Sequence, residues 1–163
     1  MPKLADIRRA APQHAPQMTT LLNEIIAIGG TTAFEVPVTC QNIVDWYIDG
    51  ALLSCCHVAV DKHGDIAGFQ SVELEEEPSG VGYIATFARQ TPVVKGVGTA
   101  LFEATKRFVK DAGLTTINAK IRADNVPGLA YYAKMGFEDH SIVPGVPLKD
   151  GTPVDRIIKL YHL

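Results

Sequence analysis

A mixed α/β sheet with helices on its faces is the fold this 163-residue chain predicts. Three observations lead there. Runs rich in Val, Ile, Thr and aromatic residues alternate with runs whose apolar residues recur at helical spacing. Glycine-centred turns separate them at short intervals. No linker, repeat or compositional break interrupts the alternation, so one domain over residues 1–163 is expected, long enough to bury a sizeable core.

The elements follow in order. "KLADIRRA" reads as a first strand. In "APQHAPQMTTLLNEIIAIG", Met18, Leu21, Leu22, Ile25, Ile26 and Ile28 form a helical stripe that Gly29 and Gly30 end. Pro16 suits its first turn, where a missing N–H costs little. "TTAFEVPV" is a loop. A short helix occupies "TCQNIVDWYIDG", capped by Thr39 and stopped by Gly50. "SCCHVAVD" and "IAGFQSVELE" form a hairpin about the turn "KHGD", and "EEPSG" leads into the strand "VGYIATFA". A long helix then runs to about Ala112, where Gly113 ends it. "TTINAKI" is a strand, "VPGLAYYAKM" a helix, and "GFEDHSIV" and "PVDRIIKLYHL" the last strands, with "PGVPLKDGTP" as the loop between them. About seven strands result. The final run reads as an edge or interface strand, which pairing in a homodimer would cover.

Composition narrows the function. A net charge of −3 offers no basic footprint for nucleic acid. No apolar run is long enough to cross a bilayer, and the N-terminus shows no apolar signal core, so a cytoplasmic location is expected. Cys40, Cys55 and Cys56 have no metal-ligand spacing. As strand neighbours, Cys55 and Cys56 point to opposite faces, and buried thiols are the expectation; no metal is.

The informative stretch is "VVKGVGTALFEATKRFVK". Gly96 and Gly98 stand where a helix begins, although glycine is a poor helix former. A helix start carries N–H groups without intrahelical partners and a partial positive charge, and both favour a phosphate. Glycines remove the Cβ atoms that would hold an anion away. Lys95 adds a cation. A dinucleotide fingerprint would need a third glycine where Leu101 stands, and a P-loop would need a GK[ST] ending that the chain lacks.

"VVKGVGTALF", followed some thirty residues later by "IRADNVPGLAYYAKMGFED", resembles the GCN5-related N-acetyltransferases (GNAT family). Asn125, Tyr132, Lys134, Gly136 and Phe137 fall in register with that family's N-x-x-A-x-x-x-Y-x-K/R-x-G-F block. Val93 stands where the family's Q/R-x-x-G-x-G/A motif begins, and Gln90 where proline is usual. The resemblance implies a mostly antiparallel central sheet with one splayed parallel pair, and acetyl-CoA as cosubstrate. It implies that the backbone of Val94, Lys95, Gly96, Val97, Gly98 and Thr99 wraps the pyrophosphate, with Arg89 or Lys95 supplying charge in place of the missing Gln or Arg. The strand end Thr86–Ala88 would pair with the pantetheine amides, Phe87 or Ala88 would offer an oxyanion N–H, and Asn125 would reach the pantetheine arm or a water.

In the chemistry the resemblance implies, Tyr132 protonates the departing thiolate, since a phenol with a pKa near 10 keeps its proton at neutral pH. Tyr131, about 100° further around the helix, reads as packing. For a base, the acidic strand end "SVELEEEP" places Glu73 and Glu75 on one face, with Glu73 the better placed; Glu35 is a second candidate. "TTAFE" is similar to the corresponding stretch of phosphinothricin-type acetyltransferases, so Phe34 and Glu35, with Glu75, are expected to bind substrate. The expected reaction is acetyl transfer to a primary amine of a small molecule by direct attack in a ternary complex. A catalytically silent acyl-CoA sensor is the alternative. Acid near the cleft would favour a cationic amine.

Overall fold

The computed structural model describes residues 4–163; Lys3, at the start of the first expected strand, lies outside them. Seven strands form one sheet in the order β1-β2-β3-β4-β5-β7-β6. They are β1 (Leu4–Arg9), β2 (Leu53–Asp61), β3 (Ile66–Leu74), β4 (Val81–Ala88), β5 (Thr116–Arg122), β6 (Glu138–Pro147) and β7 (Pro153–His162). The chain turns back after β2, β3 and β6, so all neighbours are antiparallel except β4 and β5.

Strand alternation divides the side chains between two helical layers. Helices α1 (Ala15–Ile28) and α2 (Cys40–Tyr47) cover one face, where Met18, Leu22, Ile43 and Tyr47 pack on Cys56, Val58, Phe69 and Phe87. Helices α3 (Val97–Asp111) and α4 (Val126–Met135) cover the other, where Phe102, Val109 and Tyr132 pack on Cys55, Val72, Ile84 and Ile117. The neighbouring Cys55 and Cys56 thus fall on opposite faces. The Thr39 hydroxyl caps α2 by accepting from the Asn42 N–H at 3.0 Å, as the sequence suggests.

Three expectations change. Ile28, assigned to the apolar stripe of α1, is 63% exposed; it is the last residue of the helix, next to the Gly29 cap. β6 continues through the "PGVP" segment read as loop: Val146 pairs with Val154 and Pro147 with Pro153 across an irregularity after Val143. Proline is tolerated there because β6 is the edge strand. β7, read as an edge, lies inside the sheet between β5 and β6. No helix among the described residues is long and apolar enough to cross a membrane.

The pairing of β4 with β5 positions everything that follows. β4 pairs with β3 from Gly82 to Ala88, and β5 pairs with β7 from Thr116 to Arg122. Between β4 and β5 the register holds for three residues only, Val81 to Thr116, Gly82 to Ile117 and Tyr83 to Asn118. Beyond Tyr83 the two halves of the sheet diverge.

The segment between β4 and α3 is tied back to the β2–β3 turn. Arg89 donates from Nη2 to the buried carboxylate of Asp61 at 2.9 Å, and also to the carbonyls of Ile66 and Pro92. Burial opposes ionisation of Asp61, but the Asp65 N–H, the Arg89 guanidinium and the His63 N–H together outweigh it and hold the carboxyl below its usual range. A depressed pKa contributes stability that is complete above the ordinary carboxylate range and fades as pH falls through the folded value. Asp61→Asn is therefore expected to lower stability at pH 7 by roughly 2 kcal/mol. In urea melts, the difference from wild type should shrink as pH drops below the carboxylate range.

Candidate active site

The divergence of β4 and β5 opens a cavity of about 400 Å³. Its walls come from both faces of the sheet. Thr86, Ala88, Gly98, Tyr131 and Tyr132 line the α3/α4 side, and Ile25, Phe34, Phe87, Arg122 and Arg156 the α1/α2 side. Past Tyr83, the edge of β4 that faces the gap has no strand partner among the described residues, so its amides are open to an extended ligand.

At one end of this gap stands the N-terminus of α3. Val94 and Val97 bury their side chains against Ala59, Ala67 and Leu101, which pins the loop to the sheet. Lys95 and Thr99 are exposed. Gly96 is the N-cap with φ of +81°, a left-handed conformation that favours glycine, and a Cβ built on it would meet nothing within 4 Å. Among the described residues the N–H groups of Val97, Gly98 and Thr99 find no acceptor. The first turn of α3 is therefore a bare set of donors with open space before it.

Gly98 is small for a different reason. A Cβ there would come within 2.5 Å of the Tyr131 ring, whose hydroxyl donates to the Gly98 carbonyl at 2.7 Å. Tyr131, read from sequence as packing, thus lines the cavity and locks α4 to α3. Arg89, considered as a phosphate partner, is committed to Asp61 instead. Val93 points to solvent, and Gln90 lines the cavity while donating to the Ala88 carbonyl at 2.8 Å.

A chain of hydrogen bonds joins the two tyrosines to the sheet. Gln70, fully buried on β3, donates to Thr86 Oγ1 at 2.9 Å and to the Tyr131 hydroxyl at 3.0 Å. Thr86 Oγ1 in turn lies 2.9 Å from the Tyr132 hydroxyl. Burial pushes the Tyr131 phenol up to about 12 and raises that of Tyr132 as well, so both stay protonated at neutral pH. Gln70 escaped the sequence reading because it sits in an ordinary strand pattern; nothing in "IAGFQSVELE" marks it.

Asn125 borders the cavity, but its side chain is engaged. Its Oδ1 accepts from the Gly128 N–H at 3.0 Å, capping α4, and its Nδ2 donates to the Thr31 carbonyl at 3.2 Å. Arg122 donates to Asp124 through Nε and Nη2 at 2.9 and 2.7 Å, and through Nη1 to the Thr32 carbonyl at 3.2 Å. Together they clasp the loop after α1 over the cavity and hold Phe34 there. Phe34 stacks on Trp46 with centroids 5.6 Å apart, forming an aromatic wall with Phe87.

The acidic candidates fall elsewhere. Glu73 is exposed opposite Tyr83, at the closed end of the split, and does not line the cavity. Glu75 accepts from the Tyr83 and Ser79 hydroxyls on the outer hairpin. Glu35 accepts from the Lys149 N–H at 2.8 Å, at the β6–β7 loop. No carboxylate is among the lining residues, whereas Lys120, Arg122 and Arg156 are. The expectation of an acidic cleft suited to a cationic amine is corrected: the cleft is basic.

An acyl-CoA fits this arrangement. The open α3 amides suit a pyrophosphate, and the unpaired edge of β4, which carries Thr86, suits a chain of amides. The acetyltransferase (GNAT) family model matches residues 20–137, and the chain belongs to that family, whose cosubstrate is acetyl-CoA. It is 25% identical over 152 residues to YwnH of Bacillus subtilis (strain 168), named as a candidate phosphinothricin acetyltransferase, covering 91% of this chain and 93% of that one. Its fold is that of a ribosomal-protein-alanine N-acetyltransferase from Brucella melitensis, with a TM-score of 0.87, 19% identity, and coverage of 98% and 100% of the two chains. It also matches a phosphinothricin acetyltransferase from Sinorhizobium meliloti crystallised with AcCoA, with a TM-score of 0.84, 19% identity, and coverage of 98% and 88%.

Gly98→Ala is expected to push the Tyr131 ring aside, cost about 2 kcal/mol of stability, and weaken acetyl-CoA binding about tenfold by calorimetry. Adding Tyr131→Ala should recover part of the stability lost to Gly98→Ala, giving a non-additive double-mutant cycle.

Proposed function

We propose that this enzyme transfers an acetyl group from acetyl-CoA to a primary amine of a small molecule, by direct attack while both substrates are bound. The observation that carries this reading is a cavity open to both faces of the sheet, with the open amides of the α3 start on one side and an aromatic and basic wall on the other. A volume of about 400 Å³ suits a small acceptor.

When bound, acetyl-CoA supplies an activated thioester. The residues of the chain do the rest. The first turn of α3, from Gly96 to Thr99, holds the diphosphate, with Lys95 beside it. The open edge of β4 orients the pantetheine arm, and an N–H at Phe87 or Ala88 serves the developing oxyanion. Tyr132 keeps its proton and passes it to the departing sulfur. Thr86 accepts from Gln70, so its own hydroxyl can donate to Tyr132 and leave the phenol proton directed into the cavity. With no carboxylate on the wall, the ammonium of the acceptor loses its proton to water in the cavity mouth, and Glu73 acts only through solvent. The aromatic wall of Phe34 receives the acceptor. If the protein dimerises, the exposed β6 edge, with Ile142 and Val143, is the surface that pairs, in place of the interior β7.

Tyr132→Phe is expected to lower kcat about 100-fold while leaving acetyl-CoA affinity within about twofold. Because burial raises the phenol pKa, the wild-type rate should climb with pH as the amine deprotonates and should not decline before about pH 10. Glu73→Gln should change kcat less than about threefold, as expected for a group that reaches the reacting atoms only through water. Thiol release from acetyl-CoA across an amine panel tests the whole reading: tight binding without turnover on any amine would make the protein a sensor of acyl-CoA.

A further inference from the structure

Arg156 is a cavity-lining cation that the steps above do not use. It stands on β7 directly opposite Arg122 of β5 in antiparallel register, so both side chains rise from one face of the sheet, the face of α1 and α2. Arg156 is 7% exposed, and its Nη1 is sealed from solvent with no acceptor among the described residues. Arg122 differs: Asp124 and the Thr32 carbonyl satisfy it. Asp124 also feels the charge of Arg156, but its two oxygens are already bonded to Arg122. Glu35, the other acid that acts on Arg122, accepts the Lys149 N–H at the β6–β7 loop. With Lys120, three cations face the cavity and no carboxylate lines it.

A sealed guanidinium nitrogen with no acceptor is costly and rare, and it persists where a ligand supplies the acceptor. The acetyl donor is not that ligand. Its phosphates belong at the start of α3, on the opposite face of the sheet from Arg156. What reaches the α1/α2 side is the acceptor. We infer that Arg156 anchors a carboxylate carried by the acceptor, so the acetylated amine is that of an amino-acid-type compound. A carboxylate matches the flat fork of a guanidinium through two parallel hydrogen bonds. The Arg122–Asp124 pair beside it then positions the loop that closes over the acceptor. The inference rests on the acetyl-transfer reading and names the substrate class of that site.

The test pairs each L-amino acid of a panel with its decarboxylated amine, for example leucine with isoamylamine and phenylalanine with phenethylamine. Thiol release from acetyl-CoA gives kcat/KM, and calorimetry on the CoA-loaded protein gives acceptor affinity. In the wild type the best amino acid should exceed its decarboxylated partner by about thirtyfold or more in both measurements. In Arg156→Met the ratio should fall to about threefold or less. That variant should melt no lower than wild type, because the buried nitrogen it removes had no acceptor and Asp124 keeps both of its bonds to Arg122. Decarboxylated amines used or bound as well as amino acids by the wild type would overturn the inference and leave acetyl transfer standing. A large drop in the melting temperature of Arg156→Met would also overturn it, since it would make the residue structural. If no amine of either kind releases thiol, acetyl transfer falls, and calorimetry still decides on Arg156: carboxylate-dependent binding upholds its role, and its absence refutes it.

Discussion

Three residue pairs hold the two halves of the sheet together, and the site exists because there are no more. Val81, Gly82 and Tyr83 of β4 match Thr116, Ile117 and Asn118 of β5, after which each strand keeps only its outer neighbour. Further pairing would satisfy more backbone groups and close the gap. Instead, β4 is held by β3 and β5 by β7, so neither needs the other to stay extended. The amides left open on the inner edge are a liability in an empty sheet and an asset beside an extended ligand that carries its own amides.

The split also makes the sheet permeable. Elsewhere the two helical layers are insulated by a paired sheet, with buried clusters on both sides. At the gap they share a cavity, and the two sides differ in chemistry. On the α3 side a helix terminus offers neutral amides and a macrodipole, which hold an anion without a dedicated side chain. Such a terminus needs no charge from Val93, which is exposed, or from Arg89, which is committed to Asp61. On the α1 side the wall is aromatic and cationic. Between them lie the hydroxyls of Thr86 and Tyr132, fixed from beneath by Gln70.

The two glycines at the start of α3 illustrate how one motif can serve two physical needs. Gly96 takes a left-handed backbone and leaves open space before the helix. Gly98 leaves room for an aromatic ring from α4, which bonds to its carbonyl and thereby couples the start of α3 to the tyrosine pair. Asn125 similarly combines a helix cap with a tie to the loop after α1, so the family block "NVPGLAYYAKMGF" organises the cavity wall as much as it lines it.

The sequence by itself determined the order of elements, the helix ends marked by Thr39 and the glycines, the separation of Cys55 from Cys56, and the pairing of a glycine-opened helix with the Asn125–Phe137 block. These are local properties: hydrophobic period, capping and turn chemistry act over a few residues and are written in them. Only the tertiary structure decided that β7 lies inside the sheet and that β6 runs through two prolines, because strand order depends on partners distant in the chain. It also decided the charge of the cleft. The acidic run around Glu73 and Glu75 is conspicuous in sequence yet ends at the closed tip of the split, while Lys120, Arg122 and Arg156, scattered over two strands, converge through the β5–β7 register. Electrostatic character follows from which side chains share a face, and that is fixed by pairing between strands that no short stretch of sequence encodes.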